Sequence, residues 1–391
     1  MTMRVLEFFY EEYLQPSGGP AGYLFNLRKS RDESSDNELF FLNEKRDLTF
    51  FYRLKRKMHV LFKCMNVRSD NAKYIERIIY ESSHKGTVDL SSYDAVHFHS
   101  TFDLYSQKKN LEDYKGIVIL TSHTPKAKYK EYIEDYSSPE EYAACKDIFD
   151  KAEEFDRFAF ERADYVIFPC RGAEDPYLHT WERYKDIRDE KKILYVPTGT
   201  PTVKPKKTRA EVRKELGISD DQFVVSYVGR HISVKGYDRL ISIFGKSDDI
   251  TVVCCGNPGR IPSPESERWK EVGWTNDPYS YVAASDLFIL PNRETYFDLA
   301  LLEVLSLGKI SLISNTGGNR EFTGLEDCGI YLFDSDDEAA ELIKNIMRED
   351  PSDKARREAA QVEMYKEKYS AEVFYSRYKE TLRNIIERGR S

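Results

Sequence analysis

The chain has 391 residues, of which 40% are hydrophobic and 32% are charged, and its formal net charge at pH 7 is −8. This length favours two domains of about 150–200 residues each, and the acidic balance argues against a nucleic-acid-binding protein. The apolar runs are far shorter than the roughly 20 residues of a transmembrane helix.

The six cysteines are scattered along the chain, and none forms a CxxC pair. Disulfides and a zinc site are therefore not expected. The opening residues MTMRVLEFF have the pattern of a first strand rather than of a secretory signal. Together these features predict a protein of the reducing cytoplasm.

Strand-like and helix-like segments alternate through the first half of the chain. In order they are a strand in MRVLEFF, a glycine-rich turn at 16–27, strands at 93–100 and 116–125, a helical pattern at 139–163, and strands at 164–170 and 192–201. This alternation predicts a parallel sheet with helices on both faces.

The segment PTVKPKK (201–207) is rich in proline and lysine and is the best candidate for a linker. After it the alternation restarts, with helices expected at 208–217, 236–246, 279–285 and 293–309, and strands at 223–229, 250–256, 286–291 and 310–314. We therefore predict an α/β protein with two doubly wound, Rossmann-like parallel-sheet domains that face each other across a cleft. Ligands of such sheets bind beyond the carboxyl ends of the strands.

Glu303 is a carboxylate inside the apolar helix that follows the buried strand SDLFILPN. The first backbone N–H groups of a helix lack intrahelical partners, so the start of this helix, at 296–299, would point them at the ligand crevice. Glu303 comes one to two turns later, where its carboxylate can accept hydrogen bonds from two adjacent hydroxyls, such as those of a ribose. The alternative is a surface ion pair with a cationic neighbour, since most helix carboxylates are solvated.

Arg230 and Lys235 follow the strand FVVSYVG and have Gly229 beside them. Arginine offers a planar fork and lysine a point charge, and both suit the oxygens of a diphosphate. The alternative is a solvated pair at a strand end. The glycine pairs at 18–19 and 317–318 could let the backbone approach a ligand closely, or they could mark ordinary turns.

Three histidines, His97, His99 and His123, fall at the ends of first-half strands. A lone histidine there is usually structural, but three at one edge of a sheet indicate a site. Trp274 lies in the loop GWTND (273–277), where its ring could stack on a nucleobase or fill a gap between the two domains.

The segment 49–68 is strongly basic and rich in aromatic residues. Its apolar residues recur at helical spacing: Phe50, Phe51, Leu54, Met58, Leu61, Phe62 and Met65. Such a helix can lie on an anionic bilayer. The alternative is a helix that packs its apolar stripe on the first sheet and exposes its cations.

The segment LPNRETYFDLALLEVLSLGKISLISNTGGNREF (290–322) resembles the donor-binding signature of the retaining family-4 glycosyltransferases, which have the GT-B fold and include enzymes of bacterial surface-polysaccharide assembly. The matching positions are Pro291, Phe297, Glu303, Gly308, Gly317, Gly318 and Glu321. Four further segments resemble the family in the same order: 18–27, 161–170, 193–201 and 227–241.

The sequence departs from this family pattern at two points. The first glutamate of the pattern falls on Thr295, with Glu294 one position early, and the glycine after Phe297 falls on Asp298. In the family that glutamate contacts the transferred sugar. The nucleotide half of the site therefore resembles the family, whereas Asp298 or Glu294 would have to take over the contact with the sugar.

The resemblance implies a metal-independent hexosyltransferase that retains anomeric configuration. Its donor would be a nucleotide diphosphate sugar, with a UDP-sugar preferred, and its acceptor a saccharide that could be lipid-linked. The nucleotide sugar is a co-substrate, and no cofactor or nucleic acid is expected. The resemblance also implies an acceptor-binding domain at 1–200, a nucleotide-sugar-binding domain at 201–369, and a C-terminal helix at 370–391 that returns to the first domain.

The residue patterns and the resemblance together predict three groups of site residues. The catalytic group comprises Arg230, Lys235, His123 and Asp298, with His123 positioning the donor sugar because the leaving phosphate can itself take the acceptor proton. The donor-binding group comprises Gly18, Gly19, Gly229, Trp274, Thr275, Thr295, Tyr296, Phe297, Leu299 and Glu303. The acceptor-binding group comprises His97 and His99.

Two alternatives stay open. A catalytically silent GT-B subunit that binds glycan or a partner protein is compatible with Thr295, but it has no need for the cations Arg230 and Lys235. A nucleotide-sugar epimerase would need a set of acid–base carboxylates and histidines that the sequence does not place. The expected location is the cytoplasm, with peripheral contact of 49–68 at the inner face of the membrane as one of its two interpretations.

Overall fold

A computed structural model describes residues 3–10, 14, 19–42, 50–63, 70–84, 88–136 and 138–390. The chain divides into two compact units, one formed by Met1–Val196 with Arg377–Ser391 and the other by Pro197–Ser376. Among the described residues, no helix combines the length and the apolar character needed to cross a membrane.

The strands of the first unit are β1 (Val5–Phe8), β2 (Leu39–Phe41), β3 (Ala95–Phe98), β4 (Ile117–Leu120), β5 (Tyr165–Phe168) and β6 (Ile193–Tyr195). They pair in the order β2-β1-β3-β4-β5-β6, and every pairing is parallel. All four residues of β1 and of β3 are buried, as expected of central strands covered on both sides.

The helices of the first unit are α1 (Gly19–Glu33), α2 (Phe50–Lys63), α3 (Asp70–Ser83), α4 (Thr101–Ser106), α5 (Lys128–Tyr136), α6 (Pro139–Ala144), α7 (Lys146–Arg162), α8 (Arg171–Thr180) and α9 (Tyr184–Ile187). The helical pattern predicted at 139–163 is divided into α6 and α7 at Cys145, which serves as the C-cap of one helix and the N-cap of the next.

The strands of the second unit are β7 (Phe223–Val228), β8 (Ile250–Cys255), β9 (Trp269–Gly273), β10 (Leu287–Leu290), β11 (Ser311–Ser314) and β12 (Ile330–Phe333). They pair in the order β12-β11-β10-β7-β8-β9, again with every pairing parallel. The chain moves outward through β8 and β9 on one side of β7, and through β10, β11 and β12 on the other. The carboxyl ends of β7 and β10 therefore flank the crevice at which doubly wound sheets bind ligands.

The helices that follow in the chain are α10 (Arg209–Leu216), α11 (Tyr237–Gly245), α12 (Pro278–Ala284), α13 (Leu299–Leu305), α14 (Asp336–Arg348), α15 (Pro351–Lys368) and α16 (Ala371–Arg390). The last of them, α16, begins in the second unit and belongs to the first from Arg377 onward.

The side chains of β7 point alternately to the two faces of the second sheet, and both faces are covered. Val225 contributes to a core cluster that includes α11 and α14, whereas its neighbour Val224 contributes to a second cluster that includes α10 and α12. Successive side chains of a strand point to opposite faces, so these are the cores on the two sides of the sheet. The prediction of two doubly wound parallel sheets is confirmed.

Candidate functional site

The carboxyl ends of β7 and β10 bring a cation, a carboxylate and an amide together. Lys235 Nζ donates to Asp298 Oδ2 at 2.7 Å, and Asn292 Nδ2 donates to the same oxygen at 2.7 Å. Burial alone would raise the pKa of Asp298, but the ion pair with Lys235 and the hydrogen bonds from Asn292 and Thr295 hold that pKa below its ordinary value. Asp298 is therefore a carboxylate at neutral pH, and it holds Lys235 at the carboxyl ends of the strands.

Gly236 allows the loops after β7 and β10 to approach each other. It has a left-handed backbone (φ +67°), and a Cβ atom there would lie 1.8 Å from the carbonyl oxygen of Pro291. Only glycine combines that backbone conformation with so close a contact. The close approach of these loops accounts for the short distance between Lys235 and Asp298.

Arg230 differs from Lys235 in its surroundings. Its side chain is exposed, and its guanidinium makes no hydrogen bond or ion pair with the part of the chain that the structure describes. The Arg230 carbonyl accepts a hydrogen bond from the Tyr227 hydroxyl at 2.9 Å, which fixes the backbone at this point. The two predicted cations are thus one exposed guanidinium and one paired ammonium.

Glu303 lies on α13, and its partner is a phenol rather than a cation. The hydroxyl of Tyr279, on α12, donates a hydrogen bond to Glu303 Oε2, and Glu303 makes no ion pair with the described residues. Burial raises the pKa of Glu303 to about 7, the hydrogen bond from Tyr279 opposes this, and the nearby charge of Asp298 adds to it. The alternative of a surface ion pair is therefore wrong, because neither the surroundings nor the partner fits it.

The two glycines at 317–318 contact protein backbone. A Cβ atom at Gly317 would lie 2.1 Å from the carbonyl oxygen of Thr295, and one at Gly318 would lie 1.9 Å from that of Tyr296. The Gly318 N–H donates to the Thr295 carbonyl at 3.2 Å. The glycines let the loop after β11 pack on the segment that precedes α13, which explains them without a ligand.

The other predicted donor-binding residues of this unit are in mixed environments. Thr295 is 4% exposed, and the ring of Phe297 is buried and stacks on Phe322 with centroids 5.8 Å apart. The Phe297 side chain is thus a core element, which leaves only its backbone for a ligand. Tyr296, which precedes α13, and Leu299, its first residue, are half-buried.

Trp274 is 70% exposed, in the loop between β9 and α12. Its ring is therefore not part of the core of the second unit. The next residue, Thr275, accepts a hydrogen bond from the Asp277 N–H at 3.1 Å, and α12 begins directly afterwards. The same short segment thus carries Trp274 and Tyr279. Gly229 ends β7, where a Cβ atom would lie 2.6 Å from the Tyr227 hydroxyl oxygen.

The three predicted histidines of the first unit belong to one hydrogen-bonded network. His99 Nδ1 lies 2.8 Å from His123 Nε2, and His99 Nε2 lies 2.8 Å from Glu7 Oε2. His97 Nδ1 lies 2.6 Å from the hydroxyl of Tyr378, which donates to Glu7 Oε1 at 2.7 Å.

This network corrects the prediction that His97 and His99 contact an acceptor. Both side chains are fully buried, and all four of their ring nitrogens have hydrogen-bond partners, with Thr121 Oγ1 lying 2.8 Å from His97 Nε2. His123 is only half-buried and has a left-handed backbone (φ +57°), which is uncommon for a residue other than glycine. Of the three histidines in the network, it is the one that is not fully buried.

Glu7, His97 and His99 also place three ligand-type atoms within 4.8 Å of one another, close enough for a metal ion. Each of these side chains is already hydrogen-bonded. Of the predicted glycines, Gly19 begins α1 with a left-handed backbone (φ +75°), and Gly18 lies outside the described residues.

Four residues of these networks escaped sequence analysis: Glu7, Tyr279, Asn292 and Tyr378. Glu7 carries a detectable signal, since it is a carboxylate inside an apolar strand, as Glu303 is inside an apolar helix. Tyr279, Asn292 and Tyr378 are ordinary residue types in ordinary patterns, and only their partners in space distinguish them.

The helix α2 exposes its apolar stripe. Its exposed residues include five large hydrophobic side chains: Phe51 (79%), Leu54 (46%), Met58 (44%), Leu61 (57%) and Phe62 (64%). The opposite side contacts α3 through an ion pair of Arg56 with Glu81 and a hydrogen bond between His59 Nε2 and Glu76 Oε1, each at 2.5 Å. The alternative of an apolar face packed on the first sheet is wrong for the described part of 49–68; residues 49 and 64–68 lie outside it.

Residues 208–363, which lie in the second unit, match the family model of the group 1 glycosyl transferases. No curated protein matches the sequence significantly. Solved structures match over nearly the whole chain at low sequence identity.

Three of these structures illustrate the likeness. Sucrose-phosphate synthase from Thermosynechococcus elongatus has 17% identity and a TM-score of 0.66, with 99% of this chain and 100% of that chain covered. HepE from Anabaena in complex with UDP-glucose has 15% identity and a TM-score of 0.64, with 98% and 100% covered. WaaG, a glycosyltransferase involved in lipopolysaccharide biosynthesis, has 12% identity and a TM-score of 0.59, with 96% and 98% covered. The chain therefore has the GT-B fold.

Proposed function

We propose that this chain transfers a hexose or amino sugar from a UDP-sugar to a saccharide acceptor, with retention of anomeric configuration and without a metal ion. The observation that carries the proposal is the group of charges at the carboxyl ends of β7 and β10. There the exposed Arg230 and the paired Lys235 lie on the loop after β7. Asp298 forms an ion pair with Lys235, and its negative charge also raises the pKa of the nearby Glu303.

The two cations suit the leaving group of such a transfer. A nucleoside diphosphate gains negative charge as its bond to the sugar breaks, and fixed cations stabilise that charge more in the transition state than in the ground state. Arg230 is available for phosphate oxygens, and Lys235 is held in place by Asp298 before any ligand binds. With two cations in this role, the reaction has no need for a metal ion.

The nucleotide would be held by Glu303 and the segment 274–279. A carboxylate accepts two hydrogen bonds from a ribose diol, and the Tyr279 hydroxyl fixes the orientation of Glu303. The exposed indole of Trp274 is suited to stack on a base. The UDP-glucose complex of HepE, a protein of the same fold, supports uridine as the base.

The acceptor is proposed to be lipid-linked because of α2. Its exposed apolar stripe is flanked by Arg53, Lys55 and Lys57, which are exposed and form no ion pair with described residues. An amphipathic helix of this kind binds an anionic bilayer through buried apolar area and electrostatic attraction. A saccharide carried on a membrane lipid would then be delivered to the surface on which the enzyme lies.

One observation favours the second candidate, a catalytically silent GT-B subunit. Asp298 neutralises Lys235, and Thr295 stands where the resembled family has a sugar-binding glutamate. A diphosphate would have to compete with Asp298 for Lys235. The two candidates differ in a simple way, since only the transferase must bind a nucleotide sugar.

The test is a thermal-shift panel of nucleoside diphosphates and their sugars in buffer with EDTA, on the full chain and on Arg230→Ala. A ligand at 100 times its dissociation constant should stabilise the parent by about 2.7 kcal/mol. We expect UDP-sugars to shift the parent and to shift Arg230→Ala less, although the unliganded proteins melt alike. Silence across the panel would favour the subunit without catalytic activity.

Stereochemistry is tested by following the slow hydrolysis of the bound UDP-sugar by proton NMR before mutarotation. An initial product with the anomeric configuration of the donor supports retention. The opposite anomer would overturn it.

A further inference from the structure

We propose that Glu7, His99 and His123 form a proton relay. A proton taken up at His123 is passed through His99 to Glu7, so that His123 Nδ1 changes between hydrogen-bond acceptor and donor while the ring stays neutral. Glu7 and His99 are thus positioning residues for His123. The relay rests on the proposed function only for the identity of its ligand, a sugar hydroxyl.

The geometry places the relay across three neighbouring strands. Glu7 lies on β1, His99 follows β3, and His123 follows β4, in a sheet where β3 lies between β1 and β4. Each of the two links, His123 Nε2 to His99 Nδ1 and His99 Nε2 to Glu7 Oε2, is 2.8 Å long. Both lengths suit a hydrogen bond along which a proton can move.

Counting hydrogens gives two arrangements of the relay in which each of its two links has one donor and one acceptor. A neutral imidazole donates from one nitrogen and accepts at the other. When Glu7 is ionised, His99 Nε2–H donates to it, His123 Nε2–H donates to His99 Nδ1, and His123 Nδ1 carries a lone pair. When Glu7 is protonated, its O–H donates to His99 Nε2, His99 Nδ1–H donates to His123 Nε2, and His123 Nδ1 carries a hydrogen.

The two arrangements differ by one proton. In going from the first to the second, the N–H bonds at His123 Nε2 and His99 Nε2 break. Bonds to hydrogen form at His123 Nδ1, His99 Nδ1 and Glu7 Oε2. The incoming proton comes from water or from a bound hydroxyl, no electrons are exchanged, and the net charge of Glu7, His99 and His123 together changes from −1 to 0.

The groups that face Glu7 keep the same hydrogen bonds in both arrangements. Tyr378 donates to Glu7 Oε1, so its oxygen accepts from His97 Nδ1–H, and His97 Nε2 accepts from the Thr121 hydroxyl. The ring of Tyr23 packs against His99 and His123, with centroid distances of 5.4 and 4.7 Å. His97 is therefore a neighbour whose tautomer should not change.

Burial favours Glu7 as the residue that finally holds the proton. Desolvation lowers the pKa of His97, His99 and His123, with that of His99 falling to about 3, because a buried imidazolium is costly. Desolvation raises the pKa of Glu7 to about 7, against the opposing effects of His97 and Tyr378. Uptake of a proton therefore neutralises a buried carboxylate instead of creating a buried cation.

The test is long-range proton–nitrogen correlation NMR on the full chain labelled with 15N-histidine, between pH 5.5 and 8.5. We expect His99 and His123 to change together from the Nδ1–H to the Nε2–H tautomer as pH rises, with a common midpoint near 7, while His97 stays unchanged. This measurement needs no variant. An imidazolium at His123, a His123 that changes while His99 does not, or a stoichiometric metal ion bound by Glu7, His97 and His99 would overturn the relay.

A variant and a matched control sharpen the test. Glu7→Gln keeps the size of the side chain but cannot take up the proton, so the coupled change should vanish and both His99 and His123 should keep one neutral tautomer from pH 5.5 to 8.5. Asp156→Asn alters another fully buried carboxyl of the same unit, outside the relay, and should leave the change intact. Persistence of the coupled change in Glu7→Gln would overturn the proposal. If that variant does not fold, His99→Phe, which removes the central residue of the relay, gives the same comparison.

Failure of the relay is distinguishable from failure of the proposed function. Binding of a nucleotide sugar with no coupled tautomer change would refute the relay alone. A coupled change in a protein that binds no nucleotide sugar would refute the transferase alone.

Discussion

Glu303 gives the sharpest prediction at the scale of a single residue. Glu303→Gln should weaken UDP-sugar binding at least tenfold, because one or two charge-assisted hydrogen bonds to the ribose, each worth about 1.5–3 kcal/mol, are weakened. A 2′,3′-dideoxy analogue should bind weakly to the parent and lose little further affinity on mutation. Isothermal titration of both ligands against both proteins measures this. An equal loss for the two ligands would show that Glu303 acts on the fold rather than on the ribose.

Tyr279 makes the same site sensitive to pH. Its hydrogen bond opposes the effect of burial on the pKa of Glu303, which is about 7. Tyr279→Phe removes that hydrogen bond and should therefore raise this pKa. More of the carboxyl is then protonated at pH 7, and UDP-sugar binding should weaken there and recover towards pH 8.5. Titrations at pH 6, 7 and 8.5 test this. Glu303→Gln is the control, and it should stay weak at all three values.

Arg230 and Lys235 should have similar effects on rate but different effects on stability. Arg230→Ala and Lys235→Ala should each lower turnover roughly a hundredfold, about 3 kcal/mol of transition-state stabilisation. Only Lys235→Ala should also lower the unfolding midpoint, because it leaves the Asp298 carboxylate without its cation. Steady-state kinetics and urea unfolding of both variants provide the comparison. Wild-type turnover in both would refute the assignment.

At the scale of elements, the loop after β11 is expected to act through packing. Gly318→Ala places a methyl group 1.9 Å from the Tyr296 carbonyl oxygen, so the segment before α13 must shift. Both the unfolding midpoint and the affinity for UDP-sugars should fall. Gly245→Ala, on α11, meets no atom within 4 Å and should be neutral or slightly stabilising. Equal behaviour of the two variants would refute this account of the glycine pair.

The helix α2 is expected to bind anionic vesicles in a salt-sensitive manner. Reversing the exposed Arg53, Lys55 and Lys57 to glutamate should lower binding by two orders of magnitude or more, since each cation near such a surface contributes about 1 kcal/mol. Sedimentation with vesicles containing phosphatidylserine measures it. The control reverses three exposed lysines of the second unit, Lys204, Lys206 and Lys214, and should bind as the parent does. If both triple variants lose binding equally, the effect is one of net charge and not of α2.

The extent of prediction from sequence also differs between elements. The central strands were all predicted, because strands buried on both faces have continuous apolar sequences. The strands β2, β9 and β12 were not predicted, and each lies at an edge of its sheet. Their residues are only partly buried; the apolar pattern is interrupted in β9 (WKEVG), whereas β2 (LFF) and β12 (IYLF) are short apolar segments. Neighbouring strands in the sheet, rather than local pattern, determine that these segments are strands.

At the scale of the whole molecule, the sequence suggests candidate residues where they stand in recognisable segments and misses those that only remote partners distinguish. Arg230 follows β7 and Glu303 lies on α13, each in a segment with a recognisable pattern. Glu7 and Tyr378 are 371 positions apart, and no local pattern connects them. The same limit explains why His97 and His99 were expected to face an acceptor, since a sequence does not show which strand-end side chains point into the core.

The buried carboxyls also shape the pH dependence of stability of the whole molecule. Burial raises the pKa of Asp156 from 3.8 to about 7, against the hydrogen bonds from the Thr101 hydroxyl and the Tyr129 N–H. Between these values the folded state holds a proton that the unfolded state has released. The contribution of Asp156 to the free energy of unfolding is therefore complete below about pH 4 and is lost as pH rises through 7. The buried histidines act in the opposite direction below pH 6.5, so the total curve hides this effect.

The contribution of Asp156 is isolated by comparing the unfolding free energies of the parent and of Asp156→Asn. The unfolding free energy of the parent minus that of Asp156→Asn should fall as pH rises from 5 to 7, by at most about 1.4 kcal/mol per pH unit, and should level off above 8. Urea unfolding of both proteins at pH 5, 6, 7 and 8, followed by a signal from the first unit, measures the difference. Asp113→Asn, at an exposed carboxylate of the same unit, is the control and should give a flat difference. A difference that rises with pH would mean that Asp156 is ionised in the folded protein and is stabilised there by Lys128, whose charge acts on it.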